Sequence, residues 1–222
     1  MIIPVLNDTD ALTALLDRLR AQQPVPLEVI VVDGAAHADA AGVCAAAGAR
    51  YITAPPGRGP QLRAGARQAR GTVLWFLHAD ALVPANAIAV IQDAVAQGAQ
   101  AGYFQFRFSG VRTCTKRVIE FFVAWRCRVA TVYGDQGLFA RREVYERTPG
   151  FAATSLFEEV PLVRALRRAG RFTALAAAIE VDCRRWERRG YWRQTLVNRL
   201  LALGHALGVS PERLARWYRG GG

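Results

Sequence analysis

The 222-residue chain is 52% hydrophobic and 21% charged, a composition that excludes a disordered chain and is long enough for one domain with a large core. Its formal charge of +11 is uneven: the eight arginines and eight carboxylates of residues 1–110 cancel, so residues 111–222 carry the whole excess. Such a half suits a phosphorylated substrate, an anionic surface or nucleic acid, unless it only reflects a general preference for arginine, Lys116 being the sole lysine.

The first half alternates strand and helix. M-I-I-P-V (1–5) reads as a strand, and residues 8–20 as a helix with Leu12, Leu15, Leu16 and Leu19 on one face. L-E-V-I-V-V-D (27–33) is a continuous run of the kind buried on both faces of a parallel sheet. An Ala-rich helix over about 37–47, a strand A-R-Y-I-T (49–53) and a helix from Gly59-Pro60 to about Arg70 follow. Thr72–Leu77 is the fourth strand, and the next helix has Pro84 in its first turn. This order predicts a parallel, doubly wound sheet.

In the second half, A-G-Y-F-Q-F-R-F (101–108) alternates with period two and predicts a half-exposed strand. A helix over 111–129, a strand Q-G-L-F-A-R, a helix E-E-V-P-L-V-R-A-L-R-R-A and a strand over 172–181 come next. A single basic helix is expected at about 190–207, then one opened by Ser210, Pro211 and Glu212. The four cysteines, Cys44, Cys114, Cys127 and Cys183, have neither zinc spacing nor a disulfide framework, which suits free thiols in a reducing cytoplasm. No leader peptide and no apolar run long enough to cross a membrane is read. The expected fold is α/β: one domain with a mixed, doubly wound sheet, residues 1–110 forming a nucleotide-binding half and 111–222 an acceptor-side half.

In open α/β sheets, ligands bind beyond the carboxyl ends of the strands. Asn7 and Asp8 follow strand one, Asp33-Gly34 ends strand two, and His78-Ala79-Asp80 ends strand four. Asp33 either accepts hydrogen bonds from a ribose or base, or terminates its strand in a turn. His78 and Asp80, two apart on an extended segment, project on the same side. Asp80 offers a hard oxygen for Mg²⁺ or Mn²⁺, and His78 a nitrogen that suits Mn²⁺ better; the alternative is a packed histidine and a turn cap. No G-x-G-x-x-G and no P-loop motif is present.

Taken in order, P-V-L-N-D (4–8), V-V-D-G (31–34), L-H-A-D (77–80), G-D-Q (134–136), F-E-E (157–159) and R-R-W (184–186) resemble the glycosyltransferase family 2 enzymes with a GT-A fold, and among them a group of small, soluble bacterial members. The resemblance runs from Ile2 to about Trp217. It implies that Pro4 lies by the nucleotide base, that Asp33 binds base or ribose, and that Asn7, Arg58 and Gln61 belong to the donor site. It puts H-A-D in the place of the family's D-x-D, so Asp80, with His78, would hold the Mn²⁺ or Mg²⁺ that bridges a diphosphate. Gly134, Asp135 and Gln136 would line the acceptor side, and Arg185 and Trp186 would lie near the leaving diphosphate or the acceptor. Of the pair Glu158-Glu159, the second would be the general base.

The implied activity is inverting transfer of a sugar from a UDP- or GDP-linked donor to an acceptor not named by the sequence, a lipid-linked one among the options. The chain departs from the family's pattern where Glu159 stands for the usual Asp, where Arg63 stands in an Asn position, and in the turn A-A-H-A-D-A after Gly34. A nucleotidyltransferase of similar shape is the rival enzyme, although its Gly- and Lys-containing segment after strand one is lacking. A non-catalytic nucleotide-binding relative is the third reading. Arg mixed with Trp and Leu over 184–203 reads either as a core-facing stripe with a solvated basic face or as a surface that rests on anionic lipid at the inner face of the membrane. No nucleic-acid module fits.

Overall fold

Strand β1 (Ile2–Val5) is buried at every position and pairs in parallel with β2 (Ile30–Asp33), which pairs in parallel with β3 (Arg50–Thr53). Burial on both faces is what the unbroken apolar runs of β1 and β2 require, while β3, with Arg50 and Thr53, is only partly covered. The structure, a computed structural model, describes residues 1–36 and 38–220, without the side chains of Ala38, Arg185 and Arg219. His37, in the divergent turn after β2, lies outside the described residues.

The second group of strands is β4 (Val73–Trp75), β5 (Ala101–Phe108), β6 (Phe139–Arg141) and β7 (Phe172–Val181), in the order β4-β6-β5-β7. A parallel bridge from Ile2 to Phe76, with Leu77 N–H donating to the Ile2 carbonyl at 3.1 Å, joins the two groups. The continuous order is therefore β3-β2-β1-β4-β6-β5-β7. Only β6 runs antiparallel to its neighbours β4 and β5; β5 and β7 are parallel.

Helices cover both faces. α1 (Thr9–Arg20), α2 (Ala38–Ala47) and α4 (Ala87–Ala96) pack on one side, through Leu12, Leu15, Leu16, Leu19, Ile88 and Ile91. α3 (Arg58–Gln68), α6 (Arg142–Glu146) and α7 (Val160–Ala169) pack on the other, through Leu62, Val144, Leu162 and Leu166. α5 (Cys114–Val129), α8 (Arg184–Arg189), α9 (Tyr191–Ala206) and α10 (Pro211–Gly220) complete the second half. A smaller cluster of Phe106, Phe108, Ile119 and Cys183, with Trp186 and Tyr191, seats α5 and α8.

Three expectations change. β5 is not half-exposed: Tyr103, Phe104, Phe106 and Phe108 are all buried, because helices and the α5–α8 cluster cover both faces; only Arg107 is exposed. The basic helix expected at 190–207 is α9, and the short α8 precedes it, the two being separated at Gly190, whose φ of +81° ends α8 and starts α9. The strand read over 27–33 pairs only from Ile30, and α4 begins at Ala87, so Pro84 precedes its Asn86 cap. A one-turn 3₁₀ segment over Gly134–Gln136 and the short α6 had no periodicity to reveal them.

The junction of β1, β2 and α3 rests on Gln61, which is 2% exposed. Its Nε2 donates to the Val5 carbonyl at 2.8 Å and the Val32 carbonyl at 2.7 Å, while its Oε1 accepts from Gly57 N–H at 3.3 Å. The amide thus fastens the ends of two central strands to the start of α3. Gln61→Leu keeps the volume and removes these bonds, and should lower stability by about 1–3 kcal/mol in urea unfolding; a change within experimental error would show that the staple carries no stability.

Candidate functional site

The carboxyl ends of β1, β2 and β4 and the start of α3 meet on one edge of the sheet. At the end of β2, Asp33 is 1% exposed. Its Oδ1 accepts from Ala35 N–H at 2.8 Å and its Oδ2 from the Tyr51 hydroxyl at 2.9 Å, so the carboxylate is oriented before any ligand arrives. Asn7 stands exposed in the loop after β1, in left-handed backbone at φ +54°. Pro4 is buried inside β1, opposite Val32, rather than at the strand's end.

Beyond β4, His78 is half-buried and Asp80 exposed. Burial and the charge of Arg58 push the His78 pKa down to about 3, so the imidazole is neutral at physiological pH and keeps a lone pair. Gly134 lies against it: a Cβ there would sit 2.7 Å from His78 Nε2 and would push the imidazole aside. The next residue, Asp135, has a buried Oδ1 without a hydrogen-bond partner. Its pKa is raised, first by burial and also by Asp80, against the pull of Arg126 and Arg58.

The acidic pair sits across from these groups. Glu158 and Glu159 are 3% and 5% exposed. Arg58, on the first turn of α3, reaches Glu158 with Nε 3.0 Å from Oε1. The loop before the pair is tied back by Ala152 N–H donating to the Glu158 carbonyl at 2.7 Å. A Cβ at Gly59 would overlap the Ala152 carbonyl, so the close approach of α3 to this loop requires glycine. Burial first, then the neighbouring Glu158 and Asp135, raise the Glu159 pKa to about 8, with Arg58 opposing.

One cluster therefore holds Arg58, His78, Asp80, Gly134, Asp135, Glu158 and Glu159. Two expected site residues, Gln61 and Gln136, hold backbone in place. Gln61 faces inward as the staple described above. Gln136 is fully buried: its Oε1 accepts from Cys127 Sγ at 3.0 Å and Arg126 Nη2 at 3.3 Å, and its Nε2 donates to the Phe104 carbonyl at 3.3 Å, so it fastens the 3₁₀ turn to β5 and α5 instead of lining an acceptor site. Trp186 packs edge-on against Phe108, with ring centres 4.9 Å apart. Arg185 lies on α8, its side chain outside the described residues.

The sequence reading passed over Tyr133, Phe157 and His205. Arg126, read only as part of a basic helix, stacks 4.2 Å from the Tyr133 ring centre. Tyr133 lies 5.8 Å from Phe157, and Phe157 stacks on His205 at 4.5 Å. Phe157 adopts φ +61°, unusual for a side chain of that size, directly before the acidic pair. Its position in F-E-E was the available signal; its partners from other elements left none.

The donors suit a hard divalent cation shared with a ligand. Among the described residues no group of three or more His, Cys, Asp or Glu side chains forms a metal cage. A neutral imidazole, an exposed carboxylate and an unpartnered Asp135 oxygen nearby fit an ion whose remaining positions are filled by phosphate oxygens and water.

The sheet carries an acidic and arginine-bearing cluster beyond its carboxyl edge, where open α/β folds bind their ligands. The family model for Glycosyl transferase family 2 matches residues 1–154, and the chain belongs to that family. Among solved structures, glucosyl-3-phosphoglycerate synthase from Mycobacterium tuberculosis with Mn²⁺, UDP and phosphoglyceric acid is similar at 19% identity over 90% of this chain and 76% of that one, with a TM-score of 0.61. The same enzyme with Mn²⁺, UDP-glucose and phosphoglyceric acid gives 19% identity over 90% and 77%, with a TM-score of 0.59. At such identity the likeness is one of fold. The curated proteins gave no match.

The buried pair has a signature in stability. A carboxyl whose pKa rises on folding stabilises the fold most when protonated, and that contribution fades as pH climbs from its unfolded value towards about 8. Glu159→Gln removes the dependence. Urea unfolding should find the variant more stable than the parent by about 1–3 kcal/mol at pH 9, with the gap closing towards pH 5; a gap that does not vary with pH would show that Glu159 ionises normally.

Proposed function

We propose that the chain transfers a sugar, with inversion, from a UDP-linked donor to an acceptor hydroxyl. The observation that carries this reading is Glu159: a buried carboxyl with a pKa near working pH, set beside Arg58 and across from the acid and imidazole that end β4. Such a group, once ionised, accepts a proton from an attacking hydroxyl. The new bond forms between the acceptor oxygen and the anomeric carbon as the bond from that carbon to the diphosphate breaks. The proton goes to Glu159 and the electron pair leaves with the diphosphate.

Asp33 would receive the nucleoside, in the orientation its two hydrogen bonds impose. Asp80 and His78 would hold a divalent cation, which when bound neutralises charge on the diphosphate. Arg58 pairs with Glu158 and adds positive charge to the same region. Asp135 shares the electrostatic environment of Asp80 and Glu159.

The neighbouring synthase, solved with Mn²⁺ and UDP-glucose, supports UDP over GDP and Mn²⁺ over Mg²⁺. The family match favours glycosyl over nucleotidyl transfer. The same proposal places the second half at an anionic lipid surface. Phe121, Phe122 and Trp125 of α5 and Trp192, Leu196 and Leu200 of α9 are exposed beside arginines of both helices. No helix among the described residues is long and apolar enough to cross a membrane, so this contact would be peripheral.

Calorimetric titration of UDP should show Mn²⁺-dependent binding that Asp80→Ala abolishes. Glu159→Gln should bind UDP within about twofold of the parent yet lose ~10²–10⁴-fold in kcat. Binding without any turnover in the parent would instead favour the non-catalytic relative, and no binding of UDP or GDP with any cation would end the transferase reading. For the surface, vesicles containing phosphatidylglycerol should sediment the protein and release it in salt. Equal sedimentation with uncharged vesicles would remove the electrostatic part of the proposal.

A further inference from the structure

A cavity of about 590 Å³ opens between α5, α7 and α9. It is within the size range of small-molecule sites. On its inner side it is lined by Tyr133 and Val160, the chain neighbours of Gly134 and Glu159, so it ends beside the proposed base. Its charged groups are all of one sign: Arg126, Arg164 and Arg199 line it, and no carboxylate does. None of these arginines forms a salt bridge among the described residues. Arg126 is held in place by Gln136 and by the face of Tyr133, and its Nε is buried without a partner.

The rest of the wall is largely apolar and aromatic and includes Ile119, Phe122, Trp186, Trp192 and Leu203. A bare anion would satisfy the arginines and leave this wall against water. A purely apolar ligand would cover the wall and leave three cations unpaired. We infer that the cavity receives the acceptor of the proposed transfer, and that this acceptor joins a phosphate or carboxylate to an apolar body.

This inference rests on the transferase reading only for the word acceptor; the binding chemistry stands apart from it. The same chemistry is offered by a soluble amphiphile or by a lipid headgroup. Octyl phosphate, inorganic phosphate and octanol are suitable probes, because Trp186 and Trp192 in the wall report occupancy by fluorescence. Octyl phosphate should bind saturably and at least tenfold more tightly than either of the other two. Arg126→Ala and Arg164→Ala should each weaken it about tenfold, and in Arg164→Ala the Mn²⁺–UDP binding, titrated in the same samples, stays unchanged and shows the variant folded. Arg164 is exposed on α7, so Arg164→Glu offers a charge reversal that leaves the core intact.

Vesicles of phosphatidylglycerol distinguish the source. Displacement of octyl phosphate by vesicles supports a lipid headgroup, and its absence supports a soluble amphiphile. Equal affinity for inorganic phosphate, equal affinity for octanol, or indifference to both arginine substitutions would overturn the inference. Loss of UDP binding in the parent alone would overturn the donor site and leave the cavity's chemistry standing.

Discussion

Glu158 and Glu159 are buried side by side, and one arginine faces them. Removing a single carboxylate from water costs several kcal/mol unless a cation meets it, and a second beside it adds like-charge repulsion. Arg58 answers for Glu158, and Glu159 keeps its proton to about pH 8. For Arg58 to reach the pair, the first turn of α3 must lie against the loop before α7, which is why position 59 has no room for a Cβ. The same loop places Phe157 in left-handed backbone, a strain of roughly 1–3 kcal/mol that persists because other contacts hold the residue there. Its ring lies between Tyr133 and His205, so the base loop is braced by the 3₁₀ turn on one side and α9 on the other.

The sheet explains how these parts come to one edge. β1, β2 and β4 run the same way, so their polar exits emerge together, and Gln61 ties β1 and β2 to the helix that carries Arg58. β6 reverses direction, which lets the 3₁₀ turn just before it deliver Gly134 and Asp135 to that same edge from the other half of the chain. The family match ends at residue 154, short of the acidic pair, α8 and α9. The cavity wall draws on both parts: Ile119, Phe122, Arg126 and Tyr133 lie within the match, and Val160, Arg164 and the α9 residues lie beyond it.

The first half was legible because β1 and β2 were buried apolar runs and helices such as α1, with its four buried leucines, had a periodic face. The chemistry-bearing residues at strand ends followed from the same pattern. Gln61 and Gln136 were misjudged because an amide that fastens backbone and an amide that binds a ligand look alike in sequence; only their partners, among them Val5, Val32 and Phe104 on distant strands, tell them apart. β5 was misjudged because alternation in its last four residues, where Arg107 emerges, says nothing about what covers the rest. The stack from Arg126 through Tyr133 and Phe157 to His205 joins four separate segments, so no local period encodes it.

The two departures from the family's pattern that bear on the site fall on one structural unit. Arg63 stands in an Asn position on α3, and its Cγ and Cδ lie 3.7 and 3.6 Å from where a Cβ of Gly150 would be. Gly150, at φ +67°, opens the loop whose far end is Glu159. The longer side chain at 63 thus packs on the start of the loop, and the longer carboxylate at 159 stands at its end. An extra methylene in a catalytic acid moves its oxygens by about the length of a C–C bond, a displacement of the size that costs ~10²-fold when nothing compensates. The reach of Glu159 is set jointly by its own side chain and by where the loop is seated, and the seat is shared by Gly59, Arg58 and Arg63. Residues 63 and 159 are therefore coupled positions, whose substitutions should not add as independent changes do.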